Sequence, residues 1–249
     1  MLVKRRLSLI FLFVFTIALS VTIGLAFAGT LIEDFDDGDA EGWERSPQNG
    51  DNDNVFWEVV DDALMFDPQG QDWTLSISQM NFVGTTGVEN VSEWTDYEFE
   101  IDIKHEEMTN YPGGIRVRVD LDTGGHYALW LYPGDGNMKL YKNPGWDINT
   151  GLSTLGEASY KPDVDEFHTL KIACEGDNIT VFYDGDEMIS AEDNEHKEGT
   201  IAVGVQDRVV YYDNIKVTGA QIPNLKLSPV EPVGKISATW GEIKSGIAL

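Results

Sequence analysis

Arg116, Arg118, Asp120, His126, Trp130 and Tyr132 fall close together in the chain, and each bears chemistry suited to a polyhydroxylated ligand. Aromatic rings stack on the flat C–H faces of a sugar, while guanidinium, carboxylate and imidazole groups hydrogen-bond its hydroxyls in fixed geometry. Trp146, in Asn143-Pro144-Gly145-Trp146, adds an aromatic on a loop. Glu100 and Asp102 alternate with Ile101 and Ile103, so both acids face one side of a strand. They join the set if that strand and the arginine strand are neighbours in one sheet. Together these are the candidate carbohydrate-binding residues. A ladder of arginine–aromatic and Arg–Asp pairs that only stabilises a solvent-facing sheet draws on the same residue types.

A β-hairpin must position this set. Ile115-Arg116-Val117-Arg118-Val119-Asp120-Leu121 alternates apolar with polar, and His126–Tyr132 follows after Thr123-Gly124-Gly125. Pairing the two runs across a three-residue turn sets Arg116 opposite Tyr132 and Arg118 opposite Trp130. Asp120 then faces Ala128, and Asp122 faces His126. The other face carries Val117, Val119, Leu121, Tyr127, Leu129 and Leu131. A turn of two or four residues would mix arginine with leucine on one face, which burial forbids.

The same period of two recurs almost everywhere, in Tyr97–Ile103 and Ile179–Tyr183 for example, with Gly, Asn and Asp between the runs. Many short alternating strands separated by such turns predict an all-β fold, a two-sheet antiparallel sandwich in which each strand buries one face. Lys4, Arg5 and Arg6, the apolar run Leu7–Leu25 and the small-x-small Ala26-Phe27-Ala28 read as a signal peptide over residues 1–28. The protein is then exported, to the cell surface, the periplasm or beyond, and cleavage leaves no stable membrane insertion. The β-domain is expected over residues 29–219, with a proline-containing linker and tail over 220–249. Net charge is −26, and loss of the basic start makes the chain more acidic still. Such a surface repels phosphate backbones and excludes nucleic acid as a partner class. Cys174 is the sole cysteine, so no internal disulfide forms, and alternation places it on an apolar face.

Four segments form an ordered series: Ile32–Gly38 with Glu41-Gly42-Trp43; Thr95–Ile101; Phe167–Ile172 leading to Gly176–Gly185; and Gly199–Gly204 followed by Tyr212–Val217. This series resembles the concanavalin A-like lectin/glucanase superfamily of jelly rolls, in particular LamG-like domains and 3-keto-disaccharide hydrolase (DUF1080-type) domains. The resemblance implies a jelly roll over roughly residues 31–218, a carbohydrate or glycan partner, and a structural calcium held by Glu33 or Asp34 with Asp213. Retaining glycosidases of the superfamily carry Glu-x-Asp-x-Glu on one strand. The nearest stretch here, Glu100-Ile101-Asp102-Ile103-Lys104, has lysine where the third acid belongs. The expectation is therefore a secreted, non-catalytic carbohydrate-binding jelly roll. One alternative is a glycoside hydrolase or lyase of the 3-keto-disaccharide type, with Glu100, Asp102, Arg116 and His126 converging in a deep pocket. The other is an extracellular interaction or adhesion module with a flat apolar patch.

Overall fold

Alternating strands can bury one face each only by stacking two sheets, and the chain does so. The computed structural model describes residues 28–45, 56–67, 75–80, 88–146 and 151–227. The expected signal peptide (1–28), apart from Ala28, and the part of the expected linker and tail (220–249) after Leu227 lie outside the described residues. In chain order the strands are β1 (Gly29–Glu33), β2 (Trp43–Arg45), β3 (Phe56–Val60), β4 (Ala63–Asp67), β5 (Leu75–Met80), β6 (Tyr97–His105), β7 (Gly113–Val119) and β8 (His126–Tyr132). They continue as β9 (Asn137–Asn143), β10 (Ser153–Ser159), β11 (His168–Glu175), β12 (Asn178–Tyr183), β13 (Asp186–Glu192), β14 (Thr200–Gln206), β15 (Val210–Gly219) and β16 (Leu225–Lys226). Among the described residues the only helix is a single 3-10 turn, Val91–Glu93.

A nine-stranded sheet runs β13-β12-β11-β6-β15-β1-β16, with the β3–β4 hairpin attached to β15. A seven-stranded sheet runs β10-β9-β8-β7-β14-β5-β2. All pairings are antiparallel except β1 with β16, so the fold is a two-sheet jelly-roll sandwich. The predicted alternation holds on β6, where Phe99, Ile101 and Ile103 enter the core between Glu98, Glu100, Asp102 and Lys104. On the facing sheet Ile115, Val117, Leu129, Leu131 and Val203 complete that core. Fully burying side chains of this size contributes about 1.5–3 kcal/mol each. Beyond β15 the chain continues to pack: Ile222 and Leu227 are buried, and Leu225 pairs with Leu31.

Two tyrosines of the nine-stranded sheet cross the core and bond to the backbone of the other sheet. The Tyr212 hydroxyl donates to the Gly204 carbonyl and accepts the Gly114 N–H, where β7 and β14 pair glycine with glycine. The Tyr97 hydroxyl accepts the Arg118 N–H at 2.7 Å and donates to the Gly199 carbonyl at 3.1 Å. The β7–β14 register slips by one residue at this second point, between the Thr200–Val119 and Ala202–Arg116 pairs. Arg118 there has φ 50, in the left-handed region. This is a β-bulge, an extra residue that bends the strand and re-aims its side chains. The Gly199 backbone lies so close to Arg118 and Val119 that a Cβ would come within 2.5 Å of their backbone atoms.

His105 closes β6. Its Nε2 accepts the Gly113 N–H at 3.1 Å, and burial, followed by the nearby His168, pulls its pKa down to about 4. The folded state thus refuses a proton that the unfolded chain accepts near pH 6.5. The resulting stability is present above pH 6.5 and is lost as pH falls through 4. We expect the urea midpoint of the wild type to drop over that window, and His105→Gln to flatten the drop. Equal slopes for both proteins would disprove the assignment.

Candidate functional site

The outer face of the seven-stranded sheet is built by β7, β8, β9 and β14. The observed hairpin pairs Arg116 with Ala128, Gly114 with Trp130 and Val117 with Tyr127. This corrects the expected register, which set Arg116 opposite Tyr132. The three-residue turn is replaced by a longer loop in which Asp120 N–H donates to the Gly125 carbonyl and Gly124 N–H to the Asp120 carbonyl. The displacement is an even number of residues, so Arg116, His126, Trp130 and Tyr132 still share one face. Strand β9 adds Asn143 opposite His126, Tyr141 opposite Ala128 and Lys139 opposite Trp130.

The bulge separates the two arginines. Arg116 stays on the outer side of the sheet, although its side chain is fully buried there, whereas Arg118 turns away from that face and is buried against the protein's own backbone. Its Nε donates to the Thr95 carbonyl (3.1 Å) and its two terminal nitrogens to the His196 (3.2 Å) and Gly176 (2.8 Å) carbonyls, with Asp96 at 3.5 Å. Every nitrogen of the Arg118 guanidinium is thereby engaged by the protein itself. Val119, expected in the core, instead packs on the outer face with Ala202 and Trp146. Asp120 bonds its own turn: its Oδ1 accepts the N–H groups of Asp122 and Thr123. Partial burial favours the protonated acid, but these bonds outweigh it and hold the carboxyl below its ordinary range.

Glu100 and Asp102 lie on the other sheet. β6 belongs to the nine-stranded sheet, and its polar side looks out from the opposite face of the sandwich, so the two acids do not join the hairpin site. Asp102 accepts from Thr169 Oγ1 and Asn214 Nδ2, and Glu100 meets Lys216. Glu100 also borders an open hollow of about 330 Å³ with Thr169, Lys171, Phe182, Asp184 and Gly185. Polar groups there answer one another: Lys171 meets Glu98 at 3.5 Å, and His168 Nδ1 lies 2.9 Å from Asp184 Oδ2. Lys104 lies over the rings of Tyr211 and Phe167, at 4.0 and 4.9 Å.

Arg116 is the centre of the outer-face site. It is fully buried, and none of its three nitrogens has a hydrogen-bond partner among the described residues. Its guanidinium stands 5.3 Å from the centre of the Trp130 ring, within cation–π range. Burial lowers its pKa to about 9, which leaves it charged at neutral pH. His126 is neutral: burial first, then the charge of Arg116, holds it well below its ordinary pKa. Its Nδ1–H donates to the Gly124 carbonyl at 2.7 Å, and its Nε2 accepts from Asn143 Nδ2 at 2.7 Å, which sets the tautomer. The Asn143 Oδ1 is buried without a partner among the described residues. Trp146 covers Gly124, Val119 and Ala202, with its ring 6.5 Å from His126. Tyr132 and Tyr141 continue the face with their hydroxyls 3.4 Å apart. The site thus offers one unsatisfied guanidinium, one unsatisfied carbonyl oxygen and aromatic walls.

Asn143 and Tyr141 are additions to the sequence reading. Their signal was the alternation of Lys139, Tyr141 and Asn143, two residues apart on the strand after the hairpin.

Glu33, Asp34 and Asp213 gather where β1 meets β15, but they do not form a cation cage. Among the described residues no three His, Cys, Asp or Glu side chains converge in a metal-holding group. Lys226 occupies Asp34, and Glu33 accepts the Phe35 N–H. Burial, with neighbouring carboxylates adding to it, raises Glu33 to about 8 and Asp213 to about 6. As they stand these residues do not fit calcium, and no role follows from one.

This sandwich, with a polar-aromatic face on one sheet, is a jelly roll. Residues 30–218 match the family model of the 3-keto-alpha-glucoside-1,2-lyase-like domain, and the chain belongs to that family. No curated protein matches the sequence. Among solved structures, the carbohydrate-binding module CBM66 from Bacillus subtilis is 21% identical, with a TM-score of 0.55 over 70% of this chain and 94% of that one. The Bacillus licheniformis beta-glucanase is 11% identical, with a TM-score of 0.54 over 77% and 98%. The catalytic domain of an endo-1,3-beta-glucanase (laminarinase) from Thermotoga petrophila is 13% identical, with a TM-score of 0.53 over 76% and 96%. At these identities the likeness is one of fold. The chain is a jelly-roll domain of the 3-keto-alpha-glucoside-1,2-lyase-like family.

Proposed function

We propose that the protein is an exported, non-catalytic carbohydrate-binding domain whose site is the outer face of the seven-stranded sheet. The observation that carries this reading is the buried, unsatisfied Arg116 against Trp130, beside the unsatisfied Asn143 Oδ1. Sugar hydroxyls both donate and accept, so one ring can satisfy both groups while its C–H face meets an aromatic wall. The described residues of this face include no pair of carboxylates for acid and base work, because Glu100 and Asp102 stand across the sandwich. On a glycan array the wild type is expected to bind at least one sugar class. Trp130→Ala, which removes the ring behind Arg116, should bind that class about tenfold or more weakly. A wild type silent to every sugar sinks the reading.

Family membership favours a second reading, lyase or hydrolase chemistry on a 3-keto-disaccharide. Product formed on incubation with such a substrate, and abolished by Arg116→Gln, would establish it. Export rests on the N-terminal segment, and sequencing the secreted protein should begin at Gly29, the first residue of β1.

A further inference from the structure

Arg116 demands more of its ligand than hydroxyls. Its guanidinium presents five N–H donors in a planar fork and carries a full charge. The groups immediately around it are neutral: His126 held uncharged, Asn143, Trp130, Ala128 and Ala202, while Lys139, farther along the face, meets Glu157 at 3.8 Å. Asp120, the nearest acid on its own hairpin, is committed to its turn. Several other cations of the described residues meet acids: Lys142 with Asp193 and Glu195, Lys216 with Glu100, Lys226 with Asp34, Arg208 with Glu107 and Asp207. In a chain of net charge −26, a buried cation without an acid is conspicuous.

We propose that the outer-face site takes an acidic sugar, a uronic acid residue whose carboxylate forms a bidentate pair with Arg116 while a ring hydroxyl donates to Asn143 Oδ1. Two parallel N–H···O bonds match a carboxylate in spacing and plane, which no single hydroxyl does. Neutral His126 fits this arrangement, since its Nε2 is needed as the acceptor that fixes Asn143 with Oδ1 free. Tyr132 and Tyr141 lie along the same strands to receive neighbouring rings of an oligosaccharide. This inference rests on the carbohydrate-binding reading and names its ligand class.

The test is calorimetric titration of the whole exported chain with trimers of galacturonate and of mannuronate, each beside its own methyl ester. The ester keeps size and hydroxyls and removes the charge. A charge-assisted pair is expected to favour at least one acid over its ester by about 10- to 100-fold. Arg116→Gln should bind acid and ester alike, and Arg116→Lys should lose most of the preference while keeping the charge. Because the surface is acidic, affinity should hold or rise from about 10 to about 150 mM salt, since screening relieves repulsion and leaves the buried pair intact. Steep weakening with salt would point to diffuse surface attraction and overturn the proposal. Esters or neutral oligosaccharides binding as well as the acids would overturn it and leave the carbohydrate reading standing. Binding to no sugar of any kind would overturn both.

Discussion

Replacing Arg118 with alanine is expected to destabilise the domain by about 2–4 kcal/mol, without a direct effect on the ligand site. The side chain is 1% exposed and ties three separate segments to β7, through the carbonyls of Thr95, Gly176 and His196. Hydrogen bonds to a charged group contribute about 1.5–3 kcal/mol each, but these do not add in full. The bonds are only part-buried, so water can reach some of the stranded carbonyls. Asp96 is the more exposed partner, and its ion pair adds little. At about 2–4 °C per kcal/mol for a domain of this size, thermal unfolding should fall by roughly 4–16 °C. Arg118→Lys should recover less than half of the loss, because one ammonium cannot reach three carbonyls that a planar fork spans. A loss below about 1 kcal/mol for the alanine variant would show that Arg118 is no strut.

Arg116 and Arg118 also mark what the sequence could and could not reveal. Period-two alternation placed Phe99, Ile101 and Ile103 in the core, and it grouped Arg116, His126, Trp130 and Tyr132 on one face. The grouping survived a wrong register because facing depends on parity, and the error was even. Alternation also put Arg118 and Val119 on the wrong faces, because a bulge reverses parity at one residue. The bulge is held by the Tyr97 hydroxyl, which arrives from another strand in the other sheet, and by the close approach of Gly199. Neither is local to Arg118 in sequence. Glu100 and Asp102 were misplaced for a related reason. Alternation says that two residues share a face, while the sheet owning that face is decided by strand order, which β6 settles by pairing with β11 and β15.

Arg116 predicts the opposite sign. Substituting methionine is expected to raise the stability of the ligand-free protein by about 1–3 kcal/mol, a gain of roughly 2–12 °C in Tm. A buried charge without a partner is costly, and removing it is favourable when the replacement fills the same volume. Methionine is unbranched, can follow the arginine stem, and can set its sulfur against the Trp130 ring. What it forfeits is the cation–π contact, about 0.5–2 kcal/mol at 5.3 Å. The several kcal/mol that burial of an unpaired ion costs exceed that contribution, so the net should be positive. The lowering of Arg116 toward pKa 9 has the same physical origin, since burial disfavours the charged form. Retaining such a residue makes sense where a ligand completes it, because active and binding sites hold their strain at the expense of stability. At one fixed ligand concentration the Tm of the wild type should rise by more than that of Arg116→Met, which binds the same ligand more weakly. If urea denaturation instead shows Arg116→Met weakened to the extent of Arg118→Ala, Arg116 is a structural member of the sheet and its unsatisfied nitrogens no longer argue for a ligand.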